Sequence, residues 1–506
     1  MSAVVAVRPA QDVSARRVVN LTLGRAEAVR RKLEGWLLSE EALDLPLDAV
    51  ERETEARGRD VLRLMLQAHV QARGTGDVGP RIEVADADAG PVVLGQRREH
   101  ERTVETIVGS VQVERTAYGA PGRESVHPLD EAAALPERRY SYELQRRVVL
   151  GAAQSPFDEA CARVAEATGV TVPKRSAETL VREAARDFDA FYEGRAAPPA
   201  AETGPVLVAA VDCKGIPMVK PEKALRVVRR AKGEKANKKR MATVAAVFTQ
   251  QPRVRTPEEV VESLFDPPKP RIVGEDAPRK PPVPRPEHKR VWASLAKSKD
   301  AVIAEVAAEV ERRDPAREKR RVVVTDGERA LQKRAGVAIV AITMVLDFLH
   351  VLEKLWKAAY CFHAEGSDEA VAWVRERALR LLRGGVSQVV KGMGKSATAR
   401  GLTGQKRKTV DEVRRYFYRN RRRMRYHEYL RDGLPIASGA VEGACRNLIK
   451  DRMERSGMRW TIDTAEALVR LRATYLSGDF EEYWRFHVEC DQQRLHPRWR
   501  WRVVEK

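Results

Sequence analysis

The chain is short of cysteine, of acid relative to base, and of long apolar runs. Five cysteines occur in 506 residues: Cys161, Cys213, Cys361, Cys445 and Cys490. They are scattered and odd in number, with no CxxC pair. That excludes a disulfide framework and a structural zinc site, and fits reduced thiols. The longest apolar stretches, VLVAAV and VAIVAITMVL, fall short of the about 20 residues that span a bilayer. The start, MSAVVAVRPAQDVSARR, has no signal-peptide layout. The expectation is a cytoplasmic protein with no membrane partner. Base exceeds acid, 92 Lys and Arg against 72 Asp and Glu, for a net charge of +20. A pI near 9.8 suits a polyanion, because Lys and Arg that neutralise phosphates release counterions.

What is there describes a globular chain. Hydrophobic residues make up 43% and charged residues 32%, well away from a disordered composition. The length allows two to four domains. Residues 1–85 form an N-terminal helical region, with apolar residues three and four apart. Residues 86–138, Gly-punctuated with short alternating runs, form a small β-module. Residues 139–195 read as three helices, YELQRRVVLGAAQ, PFDEACARVAEATG and KRSAETLVREAARDFDAFYE. The break GVTVPKRS has helix-turn-helix length, which would set Lys174, Arg175 and Arg182 in a DNA groove. A plain helical bundle is the alternative. AAPPAAETGP is a linker.

Residues 204–347 then mix strands and helices. VLVAAVDCKG, ALRVVRR and RMATVAAVFTQ read as successive strands. Residues 266–286 are Pro-rich loop. HKRVWASLAKSKDAVIAEVAAEVERR reads as one long helix. RVVVTD, ERALQKRA and VAIVAITMVLD read as strand, helix, strand, whose alternation predicts parallel pairing. Residues 348–432 are helical throughout. Residues 433–490 carry the remaining helices, and 491–506 a basic tail.

Three acids stand where solubility does not require them. Asp212 and Asp326 each end an apolar, β-branched run, and Glu442 sits in IASGAVEGACRNLIKDRM. Singly each is weak, since Asp-Gly is a common way to leave a strand. Together they predict one metal-binding, catalytic cluster. Two Mg²⁺ ions, or Mn²⁺, suit carboxylate oxygens, and two such ions serve phosphodiester cleavage. Two basic blocks are candidate DNA contacts. One is 226–240, with Arg229, Arg230, Lys238, Lys239 and Arg240. The other is 414–429, with Arg421, Arg422 and Arg423 among aromatics. Arg446, Lys450 and Arg452 follow Glu442. Spacings of four and eight would put the first two on its helix face, near the metals. Trp356 and Trp460 read as core aromatics, or as platforms for a flipped base.

KKRMATVAAVFTQQPRVRTPEEVVESLF, PEHKRVWASL, DFLHVLEKLWKAAYCFH, RKTVDEVRRYFYRNRRRMRY and IASGAVEGACRNLIKDRMERSGMRWT resemble DDE transposases of bacterial insertion sequences in the ISKra group. The resemblance covers most of residues 205–490. It implies an α/β fold: a ribonuclease-H-like core with a mostly helical insertion, preceded by helical and helix-turn-helix regions. It implies Asp212, Asp326 and Glu442 as the catalytic acids, cutting terminal inverted repeats and joining them to target DNA in a homodimer or larger assembly. Related transposases often carry a Cys-or-Asp/His pair where Asp347 and His350 stand. That pair would orient the sheet end, or serve only as a helix cap and a packed histidine. Many relatives have cysteine pairs in the β-module; ERTAYGAPGRESVHPLDEAAALP has none, so packing alone must hold it. A non-catalytic DNA-binding regulator, or a nuclease or resolvase on the same core, are the competing readings.

Overall fold

The computed structural model describes residues 13–85, 90–219, 239–266, 283–437, 439–496 and 501–504. The chain divides into two compact units, residues 1–193 with 479–506, and residues 194–478. The division at 193/194 falls two residues before the predicted linker, which begins at Ala196.

In the first unit, helices Val13–Leu37 and Leu47–Ala72 pack along each other. Thr22 Oγ1 donates to Gln71 Oε1 across them at 2.8 Å. Strands β1 (Ile82–Val84) and β2 (Val92–Leu94) pair antiparallel, and the last strand, Trp501–Val503, pairs on the other side of β1. Strands β3 (Gln96–Thr106) and β4 (Gly109–Gly119) form a long hairpin. Gly109, at φ +118°, starts the return strand. The expected β-module is thus present without cysteine. Val104, Val111, Val113 and Leu129 form one core, and Ile82, Leu94 and Tyr118 another. Tyr118 also donates its hydroxyl to Asp77 at 2.9 Å.

Helices Tyr142–Gln154, Phe157–Thr168 and Lys174–Ala184 occupy the three predicted places. Gly169, at φ +71°, ends the second in the left-handed region that glycine tolerates. The third is shorter than expected and gives way to a separate helix, Phe188–Gly194. Asp187 at the break accepts from His487 Nδ1 at 2.7 Å and Arg494 Nη1 at 2.6 Å. Burial alone would raise its pKa, but these two partners hold it down at about 2. His487 and Arg494 lie on helix Phe480–Leu495, which therefore belongs with the first unit. The expected boundary at 490 cuts through that helix.

The second unit is built on a five-stranded mixed sheet. Its strands are β5 (Val206–Pro217), β6 (Lys239–Gln250), β7 (Glu287–Ser294), β8 (Arg320–Thr325) and β9 (Ile342–Leu346). Their order is β7-β6-β5-β8-β9. β6 runs antiparallel to both β5 and β7, while β5, β8 and β9 are mutually parallel. Val206 to Val211 of the central β5 are all buried, so VLVAAV is a continuous apolar run rather than an alternating one. The expected parallel pairing is present. The run ALRVVRR lies outside the described residues, as does most of the Pro-rich stretch.

HKRVWAS is strand, not the start of a helix. Val291, Trp292, Ala293 and Ser294 of β7 are buried on both sides, which erases the period of two. The helix starts at Lys299, capped by Ser298. Glu466 fixes the turn by accepting from Ser294 Oγ and Leu295 N, both at 2.7 Å. VAIVAITMVLD also divides, because helix Arg329–Ala338 takes its first residues and β9 only Ile342–Leu346.

The expected helical insertion follows: Phe348–Ala359, Asp368–Leu382, Val386–Ala399, Gly404–Asn420 and Tyr426–Arg431. Helix Gly439–Ala444 then runs into a π-helical stretch, Cys445–Lys450, and on to Asp451–Met453. Helix Ile462–Ser477 closes the unit against β7. Among the described residues no helix is long and apolar enough to cross a membrane.

Candidate functional site

Strand register sets three aspartates at one level, just past the ends of β8 and β9 and within β5, which runs on to Pro217. Val211 of β5 pairs with Thr325 of β8, and Thr325 with Leu346 of β9. Asp212, Asp326 and Asp347 are each the next residue. Parallel neighbours lie about 4.8 Å apart, so the carboxylates start from adjacent backbone positions. Asp347 N–H donates to Thr325 O at 2.9 Å, carrying the ladder to this level.

Each aspartate is held differently. Asp212 Oδ1 accepts from Cys213 N–H at 2.6 Å, and Oδ2 takes the Cys445 thiol at 3.2 Å. Asp326 Oδ1 accepts from Glu328 N–H at 2.9 Å. Gly327 follows at φ +93°, and a Cβ there would lie 2.6 Å from the Tyr416 hydroxyl. That hydroxyl donates to Asp326 O at 2.7 Å, tying an insertion helix to the end of β8. Asp347 is fully buried. Its Oδ1 accepts from Leu349 N–H at 2.7 Å, capping the helix that carries His350.

Glu442 arrives on helix Gly439–Ala444, packed against β5 and β6. Among the described residues, the group whose ligand atoms converge within 4.8 Å is Asp347, His350 and Glu442. Asp212 and Asp326 stay outside that tight group, although their charges reach it. Burial and then Asp347 raise the Glu442 pKa, with Asp212 adding to the effect. Burial and then Asp212 raise that of Asp326. The pair expected only to orient the sheet end thus includes the carboxylate nearest Glu442. The cap expected of Asp347 as the alternative is also made. One side chain does both.

The donor set fits a hard divalent cation. Burial and neighbouring carboxylates raise the cost of ionising Asp326 and Glu442, and a cation would relieve it. His350 Nδ1 is buried with no hydrogen-bond partner among the described residues and lies 3.9 Å from Asp347 Oδ1. Asp347 beside it holds the imidazolium up to about 9, with burial opposing. His350 is therefore a cation at neutral pH, partly offsetting the acids, and would shed a proton to ligate.

Cys445 was not anticipated. Burial, and then Asp212, push its thiol far above the usual range, so it stays protonated and donates. Cys445→Ala removes that donor and should weaken any binding of added Mg²⁺ at the acids about ten- to a hundredfold. Cys445→Ser, which keeps a donor, should stay near the native value. A calorimetric Mg²⁺ titration of the native chain and both variants checks this, and equal behaviour would remove Cys445 from the site.

The basic candidates separate. Arg452 is fully buried, its guanidinium 5.1 Å from the Trp460 ring centroid. It offers no surface to DNA, and that assignment is corrected. The π-helical stretch inserts a wider turn after Ala444, so the register counted from Glu442 at 3.6 residues per turn fails. Arg446 and Lys450 are exposed. Trp460 is buried and donates Nε1 to Met453 O at 2.9 Å, the core role. Trp356 packs with Phe265 and Tyr360. Lys239 pairs with Glu454 at 2.6 Å, and Arg240 donates to Leu295 O. Arg229, Arg230 and Lys238 lie outside the described residues. Arg421 and Arg422 are exposed and Arg423 half-buried; Lys174, Arg175 and Arg182 are exposed in the first unit. A scan against protein-family models finds no match to this chain, and a search of curated proteins finds none either.

Proposed function

We propose that the chain is an insertion-sequence transposase of the DDE type, with a ribonuclease-H-like core that cuts element ends and joins them to target DNA. The observation that carries this is the strand register. Asp212 and Asp326 stand one residue past the Val211–Thr325 pair on adjacent parallel strands, and Glu442 feels the charge of Asp212. The mixed sheet and the helical insertion between β9 and Glu442 support the same reading.

Asp212, Asp326 and Glu442 would hold Mg²⁺, with Asp347 and His350 beside Glu442. When bound, two such ions supply an activated attacking oxygen and charge relief at the leaving one. The chain's own groups do the rest. The Cys445 thiol and Cys213 N–H orient Asp212, and Glu328 N–H orients Asp326. In the first reaction water replaces the 3′-linked strand at a phosphodiester and frees a 3′-hydroxyl. In the second that hydroxyl attacks a target phosphodiester, one bond forming as another breaks. One constellation of acids serves both. Exposed Lys174, Arg175 and Arg182 would bind terminal inverted repeats, and two chains would bring two ends together.

The test uses the purified full chain, a linear duplex carrying the DNA that brackets the gene, a supercoiled plasmid and Mg²⁺. End-cleaved and plasmid-joined products are expected. Cleavage without joining would point to a nuclease. Binding with intact DNA in both Mg²⁺ and Mn²⁺ would overturn the proposal.

A further inference from the structure

Beside the acids lies a cavity of about 1000 Å³ that none of the expected metal contacts explains. It begins at Gly327, the residue after Asp326. Helix Arg329–Ala338 supplies Arg329 and Lys333 to its lining; helix Gly404–Asn420 supplies Arg415, Tyr416 and Arg419, with Arg423 just beyond. A second cavity of about 490 Å³ shares Arg419 and Arg423 and adds Arg421 and Arg422. The two therefore form one basic groove leading from the turn after Asp326 to β9.

Several arginines elsewhere in this unit are paired. Arg407 and Arg414 share Asp411, Arg375 pairs with Asp266, Arg383 with Glu258 and Arg320 with Asp432. Among the described residues no carboxylate lies within ion-pair distance of Arg329, Lys333, Arg415, Arg419 or Arg423. Glu412, the one acid in the lining, is 3.7 Å from Lys357 Nζ. Gathering five like charges around one concavity costs repulsion, and a walled cleft focuses their field outward. Anionic phosphate relieves that repulsion.

We infer that this groove holds single-stranded DNA running on from the phosphodiester at the acids. The inference rests on the proposed function of those acids. Pockets of about 300–1,000 Å³ hold a molecule of drug size. This one is of a size for a nucleotide or two of one strand at a time. Tyr416 offers a ring in the lining, and Arg421 lies 4.2 Å over the exposed Tyr418 ring. Rings and guanidinium planes stack on bases of any sequence.

The experiment is fluorescence anisotropy of the full chain with a labelled oligothymidylate of about 12 nucleotides, in EDTA so that nothing is cut. The native chain should bind it. Arg415→Gln with Arg419→Gln should weaken binding at least about tenfold and flatten the salt slope by about 0.7 per lost phosphate contact. Arg329→Gln with Lys333→Gln, on the other helix, should do the same and serves if the first pair disturbs folding. Unchanged affinity in a folded double variant overturns the inference. So does a matched short duplex that competes as well as the single strand. A chain that binds the oligonucleotide this way yet never cleaves end DNA would sink the proposed function and leave the groove standing.

Discussion

Asp326→Asn should reduce Mg²⁺-dependent cleavage by at least about a thousandfold while the protein stays folded. The amide keeps the shape and can still accept from Glu328 N–H. What it loses is the negative charge that would face the metals, and several kcal/mol of transition-state stabilisation correspond to that factor. Asp212→Asn and Glu442→Gln should match it, and EDTA should mimic all three. Stability should move the other way. Burial and Asp212 raise the Asp326 pKa, so the ionised group opposes folding at neutral pH, and removing its charge should leave Tm no lower. His350→Gln should cost less, about ten- to a hundredfold, if it acts through Asp347 and Glu442. Cleavage rates and melting curves on the same preparations check both halves. Full activity in Asp326→Asn would end the reading of these acids as a metal site. An equal thousandfold loss in His350→Gln would move the centre to the Asp347–His350–Glu442 group.

Asp212 and Asp326 were legible because each closes a β-branched run that the fold buries on both faces. Asp326 leaves β8 for the turn at Gly327, whereas Asp212 lies within β5, which runs on to Pro217. That they share a level depends on parallel pairing of β5 with β8, whereas the strand–helix alternation foretold only the pairing of β8 with β9. Asp347 was read as orienting the sheet end or capping a helix, and its closeness to Glu442 was not foreseen. Its adjacency to Glu442 depends on where a helix about a hundred residues later docks, and no local spacing encodes that. Arg452 misled for a related reason. Helical counting assumes 3.6 residues per turn, and the π-helical stretch breaks that rule beside the site. β7 misled because burial on both faces hides its period, leaving VWASL to join the next helix. Cys445 carried no signal at all, since a lone cysteine in a helix reads as packing.

Glu309→Ala should destabilise the second unit by about 3–5 kcal/mol, the cost of breaking a buried ion pair by removing one partner. Glu309 is 2% exposed and is gripped by three arginines. Arg290 comes from β7, and Arg312 and Arg313 from its own helix; Arg290 and Arg313 reach it at 2.6 and 2.7 Å. Alanine would leave the buried Arg313 guanidinium facing Arg290 with no carboxylate between them. A fall in Tm of roughly 10 °C should follow for a unit of this size. The acid limb carries the same information. Burial alone would raise the Glu309 pKa, but Arg290, Arg313 and Arg312 outweigh it and hold it down to about 2. A carboxyl depressed in the folded state stabilises above its unfolded value, and that contribution fades as pH falls towards 2. The native protein should therefore lose up to about 3 kcal/mol more than Glu309→Gln between pH 5 and pH 2. Denaturant unfolding followed at several pH values compares the two slopes directly. Parallel slopes, with an unchanged midpoint at neutral pH, would show that these arginines fold the sheet edge without their acid.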